Sequence, residues 1–117
     1  MFNDILNVLR GNKTAINNVS GEEFQRLMRE EDNALILDVR TPGEFAMGHI
    51  PDARNIDISG RNFSSAVDAL DRDATVLLYC RSGSRSYHAG AMMARMGFGK
   101  VYNLAEGLFD WDAELVR

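Results

Sequence analysis

Two short apolar runs, Ala34-Leu35-Ile36-Leu37-Asp38-Val39 and Thr75-Val76-Leu77-Leu78-Tyr79, constrain this chain more than any other feature. Neither alternates polar with apolar residues, so each reads as a strand buried on both faces. Such strands need helices above and below them, and helical patterns flank both runs. Ser20-Gly21-Glu22-Glu23 has the form of a capping box, Phe24, Leu27 and Met28 continue at helical spacing, and Val19 is placed to staple onto Phe24. Thr41-Pro42-Gly43-Glu44 joins a cap, a proline at the first helical position and a second capping box, predicting a short helix that ends near Gly48. Phe63, Val67 and Leu70 mark a further helix, and Ala89, Met92, Met93 and Met96 predict one from about Ser84 to Met96, closed by Gly97. Residues 15–19, residues 53–57 and Lys100-Val101-Tyr102-Asn103 are shorter strand signals, and Leu108, Trp111 and Leu115 predict a last helix. The alternation of strands and helices implies an α/β fold with a mainly parallel sheet covered on both faces.

A chain of 117 residues with 45% hydrophobic residues is large enough to form a core without disulfides or a structural metal. Its formal net charge of -4 argues against nucleic acid as a partner. No apolar run of about 18 residues is present, so a membrane partner is not expected. The first residues lack the pattern of a signal peptide. Phe2, Ile5, Leu6 and Leu9 instead predict an amphipathic helix over residues 1–14 that packs on a core of residues 15–115, the whole 1–117 forming one domain. The lone cysteine has no partner for an internal disulfide, which points to a reducing, cytoplasmic setting.

That cysteine, Cys80, follows directly on the second buried strand and opens the loop Cys80-Arg81-Ser82-Gly83-Ser84-Arg85. In parallel sheets ligands bind beyond the carboxyl ends of the strands, which is where this loop falls. A thiol is nucleophilic as thiolate, and three features favour the anion: loop amides free to turn inward around Gly83, the positive end of the following helix, and the charges of Arg81 and Arg85. Ser82, Ser84 and Ser86 add hydroxyl donors. The plainer alternative is a small buried core residue, the common fate of a free cysteine. Packing alone, however, does not call for Arg-Ser-Gly-Ser-Arg-Ser after a strand.

The loop resembles the active-site loop of single-domain rhodaneses, sulfurtransferases in which Cys and Arg are separated by four residues. Leu37-Asp38-Val39-Arg40-Thr41-Pro42-Gly43-Glu44-Phe45 is similar to their Asp-Val-Arg-x-x-x-Glu-Phe signature, Gly48-His49-Ile50-Pro51-Asp52-Ala53 to their Gly-His-Ile-Pro-Gly-Ala stretch, and Asn103 to Trp111 to their Leu-x-Gly-Gly-x-x-x-Trp segment. Asp52 and Glu106 stand where the family usually has glycine. The resemblance implies a three-layer α/β/α rhodanese-like fold with five strands. It also implies a double-displacement reaction in which Cys80 takes sulfane sulfur from a donor such as thiosulfate and passes it, as a persulfide, to cyanide, a thiol or a protein. Arg81, Ser82, Gly83, Ser84 and Arg85 would form the substrate loop, with Arg81 and Arg85 attracting an anionic donor, while Asp38, Arg40 and Glu44 support it. No metal or other cofactor is called for, and nothing requires more than a monomer. The same-fold rivals, dual-specificity phosphatases and arsenate reductases, carry five residues between Cys and Arg, a wider cradle suited to a tetrahedral oxyanion. A carrier or binding module passing sulfur along a relay is the alternative outside catalysis.

His49 and His88 are isolated histidines; His88 follows Ser84 by four residues and faces the same side of the predicted helix. A solvated surface histidine is the simpler reading. Met92, Met93 and Met96 are expected in the core, and Trp111 is expected to pack the last helix on the sheet.

Overall fold

The alternation of side chains between two covered faces in the apolar runs sets the layers. In a computed structural model that describes residues 16–117, the strands are β1 (Asn17–Val19), β2 (Ala34–Asp38), β3 (Arg54–Asn55), β4 (Thr75–Tyr79) and β5 (Lys100–Leu104). They form one sheet in the order β1-β5-β4-β2-β3, and every pairing is parallel. The helices are α1 (Gly21–Glu30), α2 (Pro42–Ala46), α3 (Phe63–Asp68) and α4 (Ser84–Arg95).

Leu37, Val76, Leu78 and Cys80 point to one face and pack with Phe63, Val67, Ala89, Met93 and Phe98. Ile36, Leu77 and Tyr79 point to the other and pack with Phe24, Leu27, Ile50 and Leu104. Side chains of successive strand residues alternate across the sheet, so a central strand covered on both sides must be apolar throughout. All five residues of β4 are buried for this reason. The α/β/α architecture and its parallel sheet therefore match the expectation.

The local start signals hold in full at one helix and in half at the other. Thr41 and Glu44 close a reciprocal capping box, whereas Ser20 accepts the Glu23 amide at 3.1 Å but the Glu23 carboxylate turns to Arg26 instead of the Ser20 amide. Element ends differ by a residue or two, and β3 shrinks to two residues at the sheet edge. Leu70 lies just past the end of α3. The helix expected over residues 1–14 lies outside the described residues, as does the first residue of the strand expected over 15–19.

One element is corrected. The last helix is a single 3-10 turn, Gly107–Asp110, after which Trp111 is extended with φ -118° and ψ 113°. Tertiary anchors explain the difference. The Asp110 carboxylate accepts the Gly21 amide at 2.7 Å, and Val116 forms an antiparallel bridge with His49 through two bonds of 2.8 Å. Both pull the segment out of helical rise, and one turn has too few internal bonds to resist. Trp111 still packs, meeting Phe24 edge to face at 5.9 Å, whereas Leu115 is exposed.

Candidate active site

Because β4 lies between β2 and β5, the chain leaving Tyr79 emerges between the ends of two neighbours. Cys80 continues the pleat towards the α3/α4 side and is fully buried there. Its Sγ accepts the Gly83 amide at 3.1 Å, the Ser86 amide at 3.5 Å and the Ser86 hydroxyl at 3.4 Å. Burial pushes the thiol up, but the Ser86 hydroxyl and the amides of Ser86, Ser82 and Gly83 outweigh it, so the net direction is down, towards thiolate. The core closes one side of the sulfur. On the other side lies the loop, where Arg81, Ser82 and Ser84 are exposed.

Two glycines make this turn possible. Gly83 sits at the start of α4 with φ 94°, left-handed and without a side-chain cap, and a Cβ there would overlap the Ala105 carbonyl. Gly107, at φ 59°, lies so close to Arg81 and Ser82 that a Cβ would overlap their backbone. The Leu108 amide donates to the Cys80 carbonyl at 3.1 Å, so the 105–108 segment is the back wall of the loop. Of the two positions where the family usually has glycine, Asp52 adopts the left-handed φ of 69° itself, a conformation that aspartate tolerates. Glu106 has an ordinary φ of -102° and needs no glycine.

Asp38 and Arg40 form a buried pair. The guanidinium donates to the carboxylate through Nε at 3.0 Å and Nη2 at 2.6 Å, and Nη2 also reaches the Gly48 carbonyl at 2.7 Å. Burial opposes the charge on Arg40, but the Asp38 hydrogen bonds and charge hold its pKa above the ordinary value. The Tyr79 hydroxyl accepts the Ile50 amide at 3.0 Å, and burial, followed by the Asp38 charge, pushes this phenol up. Asn55 donates to the carbonyls of Asp38 and Arg40 at 3.0 and 2.9 Å. These side chains tie the β2 and β3 ends to the 48–50 turn; none bonds to Sγ.

The two loop arginines differ in what they meet. Arg85 donates to both Glu44 oxygens, at 2.8 and 3.0 Å. Chiefly through Arg85, the Glu44 carboxyl is pulled down to about 2. Glu44 thus closes the capping box of α2 and binds the Cys80 loop, and the Arg85 charge is already paired. Arg81 is exposed, with no carboxylate partner among the described residues, and lies 5.7 Å from the centre of the Phe109 ring.

Sequence reasoning did not assign Tyr79, Asn55 or the back wall to the site. A polar residue at the end of an apolar strand was the available signal for Tyr79. His88 is exposed beside Tyr87, and His49 stacks on Phe45 at 3.7 Å with Nδ1 against the Phe45 carbonyl at 3.0 Å. Neither histidine serves the loop. Among the described residues no group of three or more His, Cys, Asp and Glu side chains converges on a metal position.

The rhodanese-like domain pattern matches residues 20–114. The chain belongs to the rhodanese-like family. A sulfurtransferase of Allochromatium vinosum is 34% identical over 96 residues, covering 82% of this chain and 88% of the relative. The thiosulfate sulfurtransferase GlpE of Pseudomonas aeruginosa is 34% identical over 96 residues, covering 77% and 86%. Among solved structures, a rhodanese from E. coli determined with anions superposes with a TM-score of 0.60 at 31% identity, over 72% of this chain and 98% of that one. A rhodanese-like domain protein from Staphylococcus aureus superposes with a TM-score of 0.72 over 86% of this chain and 96% of that one, its 24% identity speaking for the fold alone. The expected family and fold are thus found, and the named curated relatives of this rhodanese-like chain are sulfurtransferases.

Proposed function

We propose that this protein is a sulfurtransferase that moves sulfane sulfur from a donor such as thiosulfate to a thiophilic acceptor through a Cys80 persulfide. The Cys80 thiolate attacks the outer sulfur of thiosulfate; a new S–S bond forms, the old one breaks, and sulfite leaves with the bonding electron pair. The terminal sulfur of the persulfide then carries the negative charge. An acceptor such as cyanide or a thiolate attacks that sulfur and returns Cys80 as thiolate. The observation that carries this reading is the set of donors on Sγ, two amides and one hydroxyl within 3.5 Å, beneath an uncapped helix start. Donors fixed in advance around a developing anion stabilise it without reorganisation.

Arg81 is the loop cation that meets an anionic donor, because Arg85 is engaged by Glu44. Cys80 is the only cysteine, so the persulfide must be discharged to an external acceptor, a small molecule or a protein, and no internal disulfide closes the cycle. No metal or other cofactor takes part in these steps. Further parts of the reading are a monomer and a cytoplasmic setting; no helix among the described residues is long and apolar enough to cross a membrane.

The test is a single turnover with thiosulfate. We expect one sulfite released per chain and a mass increase of one sulfur located on Cys80. No sulfite and no persulfide with several sulfane donors would sink the reading. Arg81→Ala is expected to raise KM for thiosulfate more than Arg85→Ala does; the reverse order would reassign the donor-binding charge.

A further inference from the structure

One buried polar side chain at the end of the sheet is unaccounted for by packing or by the site as described. Asn103 is 1% exposed on β5. Its carboxamide nitrogen donates to Oδ1 of Asn18 at 3.0 Å and to the Gly83 carbonyl at 3.1 Å. Its own Oδ1 is buried with no partner among the described residues. Leucine has nearly the same size, would fill the same strand position and would leave no oxygen unsatisfied. What asparagine adds is the pair of donated bonds.

We propose that Asn103 is a positioning residue for the Cys80 thiolate, acting through the Gly83 carbonyl, and that Asn18 on the edge strand orients Asn103. Gly83 donates its amide to Sγ at 3.1 Å from a left-handed backbone with no side chain to resist rotation. Its carbonyl is gripped from two sides, by Asn103 and by the Tyr87 amide at 3.1 Å. The carbonyl belongs to the Gly83–Ser84 peptide and the amide to the Ser82–Gly83 peptide, so holding the carbonyl restrains the Gly83 torsions through which the amide is aimed at sulfur. Asn18 and Asn103 are direct partners in the β1–β5 register, so the outermost strand reaches the catalytic loop through one side chain. The proposal rests on Cys80 as nucleophile for its bearing on turnover, while its geometry concerns the thiolate alone.

Because Cys80 is the only cysteine, the pH profile of iodoacetamide alkylation reports its thiolate directly. Asn103→Leu is expected to move the midpoint upward by about half a unit to one unit and to slow persulfide formation about five- to tenfold, with little loss of thermal stability. Asn18→Ala should shift the midpoint the same way by less. Asn18→Asp, which keeps an acceptor oxygen, should hold the wild-type midpoint when salt screens its exposed charge. An unmoved midpoint in Asn103→Leu overturns the proposal, even if its melting temperature falls. If that variant does not fold, equal midpoints for Asn18→Ala and Asn18→Asp overturn it. Midpoints that move as stated in a protein forming no persulfide sink the transferase reading and leave the positioning role standing. Persulfide formation with unmoved midpoints does the opposite.

Discussion

Two strand–loop–helix units lie side by side at the carboxyl edge of the sheet, since β2 and β4 pair directly and end together at Asp38 and Tyr79. The first satisfies its helix start with side chains: Thr41 and Glu44 exchange bonds at 3.2 Å, and Asp38 takes the Arg40 amide at 2.9 Å. The second leaves Gly83 as an uncapped start and directs amides at sulfur. Every helix start has amides without an intrahelical acceptor. Where a side chain accepts them the result is stability. Where a thiol accepts them, the same amides become the means of holding an anion. The units meet at the Glu44–Arg85 pair, which links the closed helix start to the open one.

Removing the acceptor from the open unit has the largest effect. Cys80→Ser is expected to reduce sulfite release and persulfide formation to background while leaving the circular dichroism spectrum unchanged; retained turnover would assign the nucleophile elsewhere. Breaking the closed unit at its base comes next. Asp38→Ala leaves the Arg40 guanidinium buried without its carboxylate and should cost about 3–5 kcal/mol in denaturant unfolding.

A matched glycine pair sharpens the contrast. Gly83→Ala meets both a positive φ and the Ala105 carbonyl, so a loss of about 2–4 kcal/mol and a higher Cys80 alkylation midpoint are expected. Gly43→Ala, in α2 with open space around it, should be neutral or stabilise by up to about 1 kcal/mol. Equal effects at the two positions would erase the distinction between the units.

The smallest effect concerns their link. Glu44 has a folded pKa of about 2 against an ordinary 4.5, so its contribution is fully present above 4.5 and is lost as pH falls through 2. The stability difference between wild type and Glu44→Gln should therefore be constant above about pH 5 and shrink between 4.5 and 2. At a partly exposed pair its plateau should be about 1 kcal/mol or less. A difference that does not change with pH would mean that the ion pair contributes nothing and only the cap matters.

Much of this was legible along the chain because its signals are local. Unbroken apolar runs identified β2 and β4, helical spacing identified α4, and residues three apart identified the caps at Ser20 and Thr41, of which only the Thr41–Glu44 pair closes reciprocally. Cys80 was legible as the candidate nucleophile from a strand end followed by small, polar and basic residues. The last helix was misread because the spacing of Leu108, Trp111 and Leu115 does not mark a buried face: the first two are half-buried against α1 and the sheet, and Leu115 is exposed. Asp110 bound to α1 and Val116 bound to His49 decide that segment from outside it.

The sequence by itself therefore determined the α/β order, the helix starts and the place of Cys80 at the end of a buried strand. Tertiary structure alone decided what surrounds the sulfur. It brought Glu44 to Arg85 across 41 residues, Asn103 to Gly83 across 20 and Asn18 to Asn103 across 85. It also set Gly107 against the loop backbone. Capping and periodicity act within one or two turns of chain, whereas these pairings exist only once strands distant in sequence lie in register.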